Sequence, residues 1–313
     1  MNNLYKNEYK ETGIDTLMEQ KSIGKIIAAT IKTGIIKSNV FAMFAGLAMA
    51  LYVNGLNPVA HMWDIAAAFI GSFLVIGAAG TFNNIYDMDI DAKMERTKTR
   101  PTVVGDISKS AAIWLGVVMT VVGLATLWSA SMYAALFGFL GLFFYVVPYT
   151  MWTKRTTVYN TEVGSISGAV PPLIGWSAVS SDLSNPAIWG LFLVMVIWQM
   201  PHFYAIAIRK HDDYAAANVP MLPVVKGFKR TYMQTNVYLA ILIAVSFTMA
   251  AFSEAIMLLT LVLSVIWLYI SLKYAKQQDD AKWAKVMFAY SLIYLMVLFG
   301  GIILYSIIGL VVA

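Results

Sequence analysis

Long uncharged stretches alternate with short polar ones along this chain. The clearest, Ile65 to Phe82, reads "IAAAFIGSFLVIGAAGTF" and gives way abruptly to "NNIYDMDIDAKMERTKTRP" from Asn83 to Pro101. A helix needs about 20 apolar residues to cross the hydrocarbon core of a bilayer. Windows of that length predict nine spans, roughly 38–56, 64–86, 110–128, 132–150, 162–180, 187–208, 232–252, 255–273 and 286–310. Apolar residues run continuously within each window instead of alternating, which is the pattern of helices and not of a β-barrel. The division expected is a polar N-terminal segment, 1–37, followed by one nine-helix membrane domain, 38–313.

Composition narrows the class. Of 313 residues, 59% are hydrophobic and only 12% charged, with a mean hydropathy of +0.69. A soluble domain of this length would carry about twice that charge, so the fold class is an all-α polytopic membrane protein. There is no cysteine, which excludes disulfides, thiolate zinc sites, iron–sulfur clusters and cysteine nucleophiles. The mixed-charge start does not have the form of a cleaved signal peptide.

Charge then orients the helices. All 22 Lys and Arg residues fall before span 1 or in the loops after spans 2, 4, 6 and 8. The alternate loops, such as "NGLNPVAHMWD" and "SSDLSNP", contain none. Cations are retained on the cytoplasmic side during insertion, so the N-terminus is expected inside and the C-terminus outside, in a multi-pass cytoplasmic membrane protein. The net charge of +5 is thus a topology signal. Its cations are dispersed and no nucleic-acid motif accompanies them, so a nucleic-acid partner is not expected. The surrounding partner is membrane lipid.

The polar segment after span 2 carries the chemistry. Asn83, Asp87 and Asp91 stand at i, i+4 and i+8, so they share one helical face, with Asn84 near the same stripe. Asp89 points the other way, toward solvent or a neighbouring cation. Two carboxylates and one or two amide oxygens within three turns make a hard-oxygen site suited to Mg²⁺, which commonly takes one or two protein carboxylates together with substrate phosphate oxygens. Lys93, Arg96, Lys98 and Arg100 follow at once, and arginine holds phosphate oxygens bidentately. Acids for metal beside cations for phosphate describe a diphosphate site at the membrane surface. Ionisable groups near membrane depth are costly and usually mark function.

With these residues in view, "NNIYDMDIDAKMERTKTRP" resembles the NxxxDxxxD motif of the UbiA-type intramembrane prenyltransferases. "GAVPPLIGW" (Gly168–Trp176) and "WQMPHFYAIAIRKHDDYAAANVPMLPVVKG" (Trp198–Gly227) resemble its haem-directed branch, and the likeness extends from about Lys32 to Ala313. The resemblance implies nine helices around a central cavity opening to the cytoplasmic face, Mg²⁺ as cofactor and farnesyl diphosphate as donor. It further implies haem B as acceptor, haem O and diphosphate as products, and a haem A synthase or oxidase assembly factor as the partner to look for. Asp87, Asp91 and Lys154 become the catalytic candidates. Asn83, Asp87 and Asp91 become metal ligands, and Asn84, Arg96, Lys98, Arg100, Lys154 and Arg155 diphosphate ligands.

The remaining candidates keep two readings each. Quinone-directed relatives carry DxxxD at the inner end of helix 6; here that region reads "IRKHDDY", with Arg209 near the position of the first acid. Asp212 and Asp213 are therefore either ligands of a second Mg²⁺ or a helix-end acidic pair. Relatives also carry YxxxK after helix 4, whereas Tyr149 and Lys154 are one residue further apart; Lys154 and Arg155 bind phosphate or simply anchor the span. Pro201 kinks an apolar helix beside Gln199 and His202, and a neutral imidazole is a common haem-iron ligand. His202 thus either orients haem or makes a helix–helix hydrogen bond. Gly168, in the small-residue run that opens span 5, makes room for the acceptor or for packing. Gln199, His202, Tyr149 and Gly168 form the acceptor set. Two other functions fit part of the pattern: prenyl transfer to a quinone precursor, and a non-catalytic carrier or haem-binding protein.

Overall fold

The computed structural model describes residues 22–312; Lys6, Lys10 and Lys21, and most of the expected N-terminal segment, lie outside them. The described chain is helical throughout. Helices α1 (Ile23–Thr30) and α2 (Thr33–Val53) are followed by α3 (Met62–Tyr86), α4 (Met88–Asp91), α5 (Pro101–Val104) and α6 (Lys109–Ala130). Helix α7 (Met132–Phe144) continues into a π-helix over Tyr145–Trp152. Then come α8 (Asn160–Ala169), α9 (Pro171–Val179), α10 (Pro186–Arg209), α11 (His211–Ala216), α12 (Leu222–Ser246), α13 (Glu254–Ala275) and α14 (Asp280–Val312).

Among the described residues, eight continuous helical segments are long and apolar enough to cross a membrane. They correspond to eight of the nine predicted spans. The fifth is divided: α8 and α9 meet at Val170, and Pro171 and Pro172 open α9. Two prolines in succession remove two N–H donors, so the ladder cannot run through them, although Val170 itself keeps helical angles. Helix ends also differ from expectation. Helix α2 starts at Thr33, and α12 starts at Leu222, with Gly227 at φ 75° bending its first turns away from the rest.

The helices close into a ring in which α2 packs on α9 and α14, α3 on α6, and α10 on α12, α14 and α8. The α2–α9 contact is backbone to backbone: a Cβ on Gly46 would lie 2.1 Å from the Pro172 carbonyl oxygen, and one on Gly175 1.9 Å from that of Met43. The two polar loops after the second and sixth predicted spans are drawn together at one end. Ile90 and Met94 bury against Ala207, Ala217, Val219 and Met221. Inside the ring lies a cavity of about 410 Å³.

Candidate active site

The acidic segment prolongs α3 almost without interruption. The Asp87 N–H donates to the Asn83 carbonyl at 2.9 Å and the Asp91 N–H to the Asp87 carbonyl at 2.8 Å. The i, i+4, i+8 spacing is therefore carried on one helical ladder. Asn83, Asn84, Asp87 and Asp91 are all buried, with Asp87 at 0% and Asp91 at 1% exposure.

Burial of two carboxylates requires partners, and cations from two later segments supply them. Lys154 donates to Asp87 Oδ2, Arg155 Nη2 lies 3.4 Å from Asp87 Oδ1, and Arg100 donates to Asp91 Oδ2. Lys32 donates to Asn83 Oδ1. The amide of Asn83 donates to Asp87 Oδ2 at 2.8 Å and to Thr150 Oγ1 at 2.9 Å. Burial, reinforced by the nearby Arg100 and Lys154, holds the Lys32 pKa well below its ordinary value.

The π-helix explains the longer Tyr149–Lys154 spacing. Its hydrogen bonds run i to i+5, a wider turn than that of an α-helix, and a 3₁₀ turn over Thr153–Arg155 follows and carries Lys154. Tyr149 thus lines the cavity while Lys154 still reaches Asp87. Pro148 sits within the wide turn. The Thr150 hydroxyl donates to the Tyr145 carbonyl at 2.8 Å, and that of Thr153 to the Pro148 carbonyl at 2.8 Å.

The predicted phosphate ligands separate into two groups. Arg96 lines the cavity, and Lys154 and Arg100 sit on the buried acids. Arg155 is held mainly at the rim: it grips Asp89 through two hydrogen bonds of 2.7 and 2.8 Å and donates to the Tyr86 carbonyl at 2.9 Å. These bonds from Arg155 lower the Asp89 pKa below the usual carboxylate value. Lys98 turns outward and pairs with Glu95 at 2.5 Å.

The donor set suits a hard divalent cation. Among the described residues no three His, Asp or Glu side chains gather as a metal site; the site offers two carboxylates and two amides. Asn84 Nδ2 donates to the Thr30 carbonyl at 2.8 Å, whereas its Oδ1 is buried without a hydrogen-bond partner. A small carboxylate set that leaves room for phosphate oxygens is the coordination Mg²⁺ favours.

The second acidic pair divides. Asp213 Oδ1 accepts from the Glu95 N–H at 2.9 Å, clamping the two polar loops together. Asp212 is fully exposed and pairs with His211 at 3.1 Å. Neither side chain joins the Asp87–Asp91 group.

From Lys32 and Arg96 the cavity runs between α2, α3, α7–α9, α10 and α14 and becomes mostly apolar, with Ile76, Leu142, Ile174 and Leu295 in its walls. Gln199 Nε2 donates to the Ser165 and Met195 carbonyls at 2.8 and 3.0 Å. A Cβ on Gly168 would lie 2.1 Å from Gln199 Oε1, so glycine there lets α8 approach this amide. The His202 ring stacks between Trp198 and Phe288, with centroids 4.6 and 5.3 Å away. Its Nδ1 lies 2.7 Å from Ser291 Oγ, whose own hydrogen goes to the Phe288 carbonyl at 2.6 Å. With the Ser291 hydrogen on that carbonyl, Nδ1 is the donor to Ser291 Oγ and Nε2 carries the lone pair, in a residue that lines the cavity.

Sequence reasoning missed several of these groups. Lys32 counted only as a topology cation; its role depends on the left-handed backbone at the α1–α2 junction (φ 58°), which aims it inward. Thr150 is one of many threonines until the π-turn presents it to Asn83. A further polar centre joins α8, α10 and α12: Glu162 Oε1 accepts from Tyr204 at 2.5 Å, Gln234 at 2.9 Å and Tyr238 at 3.2 Å. Its donors lie 42 to 76 residues away in sequence, so no local pattern reveals it.

Comparison with known proteins fits this geometry. The UbiA prenyltransferase family profile matches residues 39–307, and the chain belongs to that family. It is therefore a membrane-embedded prenyltransferase. Its relatives include Protoheme IX farnesyltransferase 1 of Bacillus cytotoxicus, 59% identical over 93% of this chain and 95% of that protein. Protoheme IX farnesyltransferase of Shouchella clausii is 58% identical over 93% of each. Among solved structures, one described as digeranylgeranylglyceryl phosphate synthase superposes with TM-score 0.71 at 17% identity, covering 93% of this chain and 99% of its own. A UbiA homolog from Archaeoglobus fulgidus bound to DMAPP and Mg²⁺ gives 0.65 at 15% identity, covering 87% and 99%. At such identities the likeness is one of fold.

Proposed function

We propose that this prenyltransferase moves the farnesyl group of farnesyl diphosphate to a vinyl group of haem B, giving haem O and diphosphate. The observation that carries the proposal is the pair of buried, cation-paired carboxylates, Asp87 and Asp91, joined through Asn83 to Lys32, which lines a mostly apolar cavity. The names of the relatives support the choice of donor and acceptor.

Asn83, Asp87 and Asp91 would hold Mg²⁺, which supplies positive charge against the oxygens of the departing diphosphate. Lys154, Arg100, Arg96 and Lys32 bind those oxygens directly and stabilise the charge that accumulates as the allylic C–O bond lengthens. The apolar wall takes the isoprenoid chain and keeps bulk water from the farnesyl cation. His202, its tautomer set by Ser291, directs Nε2 at the haem, and Gln199, Gly168 and Tyr149 shape the space beside it. The vinyl π electrons form the new C–C bond. Water then adds to the resulting cation, leaving a hydroxyethylfarnesyl group, and its proton leaves with diphosphate. No side-chain nucleophile is required. A haem A-forming enzyme is the partner suited to consume the product.

With α8–α9 counted as one broken span, the chain crosses the cytoplasmic membrane nine times, N-terminus inside and C-terminus outside, and the site faces the cytoplasm. This reading rests on the one-sided distribution of Lys and Arg.

Purified protein supplied with farnesyl diphosphate and either haem B or 4-hydroxybenzoate tests the assignment by mass spectrometry. Haem gaining a farnesyl and a hydroxyl group is the expected product. Prenylated 4-hydroxybenzoate with unchanged haem would move the activity to quinone precursors, and absence of diphosphate release would point to a carrier.

A further inference from the structure

A second recess, of about 580 Å³, lies where the end of α10 meets the start of α14 and includes Arg209, Lys210, Asp280 and Lys285 in its lining. Its acids are already engaged. Asp213 accepts from the Glu95 N–H and has Lys210 at 4.0 Å. Asp280 accepts from the Tyr232 hydroxyl, and Asp212 pairs with His211 at the surface. The three carboxylates of the lining match its three Lys and Arg charges in number, but Arg209 and Lys285 have no carboxylate partner among the described residues and are the two cations left to meet an anion. The recess also adjoins the main cavity through one aromatic ring: the Arg209 guanidinium lies 4.6 Å from the centre of Phe288, the ring stacked on His202.

We infer that this recess is a carboxylate subsite of the acceptor, in which Arg209 and Lys285 bind the propionates of haem. The inference rests on the haem reading above and deepens it. Haem is amphiphilic, with two carboxylates on one edge and its vinyl groups elsewhere on the ring. An iron-directed imidazole one ring away from a fork-shaped cation would fix both the centre and the polar edge of such a molecule. The vinyl edge is then left for the apolar cavity. Arginine binds carboxylate bidentately, which suits Arg209 to a propionate. The two polar loops consequently divide the work: one takes the donor's diphosphate, the other the acceptor's carboxylates.

Steady-state kinetics in nanodiscs, with saturating farnesyl diphosphate and either haem B or its propionate dimethyl ester, tests the subsite. Arg209→Gln and Lys285→Gln should each raise KM for haem B about tenfold, the scale of one charge-assisted hydrogen bond, with a much smaller change in kcat. Arg209→Lys should recover part of the loss. The ester should show the raised KM already with the unaltered protein, and the gap between it and the variants should close. Equal KM for acid and ester in the unaltered protein, or equal losses on both substrates in the variants, would overturn the subsite. The same holds if the variant effect appears in phosphatidylglycerol discs but vanishes in phosphatidylcholine discs, since the ligand would then be a lipid headgroup. If the unaltered protein binds farnesyl diphosphate but alkylates neither haem, the acceptor assignment itself fails, a result distinct from the kinetic ones.

Discussion

Asp87 has no exposed surface and faces Lys154, Arg155 and the amide of Asn83, so removing its charge leaves these half-buried cations without their partner. Replacement by asparagine keeps the shape and is the better probe of chemistry. Asp87→Asn and Asp91→Asn are each predicted to lower turnover by about 100-fold or more, as loss of transition-state electrostatics does, while insertion into the membrane is retained; immunoblotting of membranes beside the product assay checks both. Lys32→Met is predicted to raise KM for farnesyl diphosphate by about tenfold, the scale of a hydrogen bond to a charged group. Chelation of divalent metal should abolish turnover and added Mg²⁺ restore it. Asp87 and Asp91 were legible in sequence because helical phase alone sets which residues share a face. Lys32 was not, since its direction follows from one left-handed residue between two helices.

Among the elements, prolines mark three of the helices that line the cavity. Pro171 and Pro172 divide α8 from α9, Pro148 lies in the π-turn that brings Lys154 to Asp87, and Pro201 lies within α10 beside His202. Hydropathy located the eight membrane-length helices and marked 162–180 as one more apolar stretch, because burial in lipid demands length and little else. It did not reveal that this last stretch is broken, since prolines hardly change a window average. The glycines of the α2–α9 seam follow the same logic: their function is the near-contact of two backbones, which no single-helix pattern records. Gly46→Ala and Gly175→Ala are predicted to destabilise by about 1–3 kcal/mol through overpacking, lowering the unfolding temperature in detergent by several degrees. Gly300→Ala, where no neighbouring atom lies within 4 Å of the added carbon, is the control expected to leave it unchanged or slightly raised.

For the whole molecule, the one-sided distribution of cations predicts the membrane orientation, and the absence of native cysteine makes it simple to test. Lys276→Cys should react with a membrane-impermeant maleimide only in inside-out vesicles, and Ser181→Cys only in right-side-out ones. The ring of helices gathers the charged residues at one end, next to a mostly apolar interior, the arrangement that joins a water-soluble leaving group to a hydrophobic chain. That juxtaposition is the central claim. Its most direct test is an experimental structure with farnesyl thiodiphosphate, a donor analogue that resists cleavage. The diphosphate is predicted at the inner end of α3, within contact of Lys154 and beside Asp87 and Asp91, with the isoprenoid running toward Ile76 and Leu142. A diphosphate bound instead in the α10–α14 recess, or at the opposite membrane face, would contradict the account.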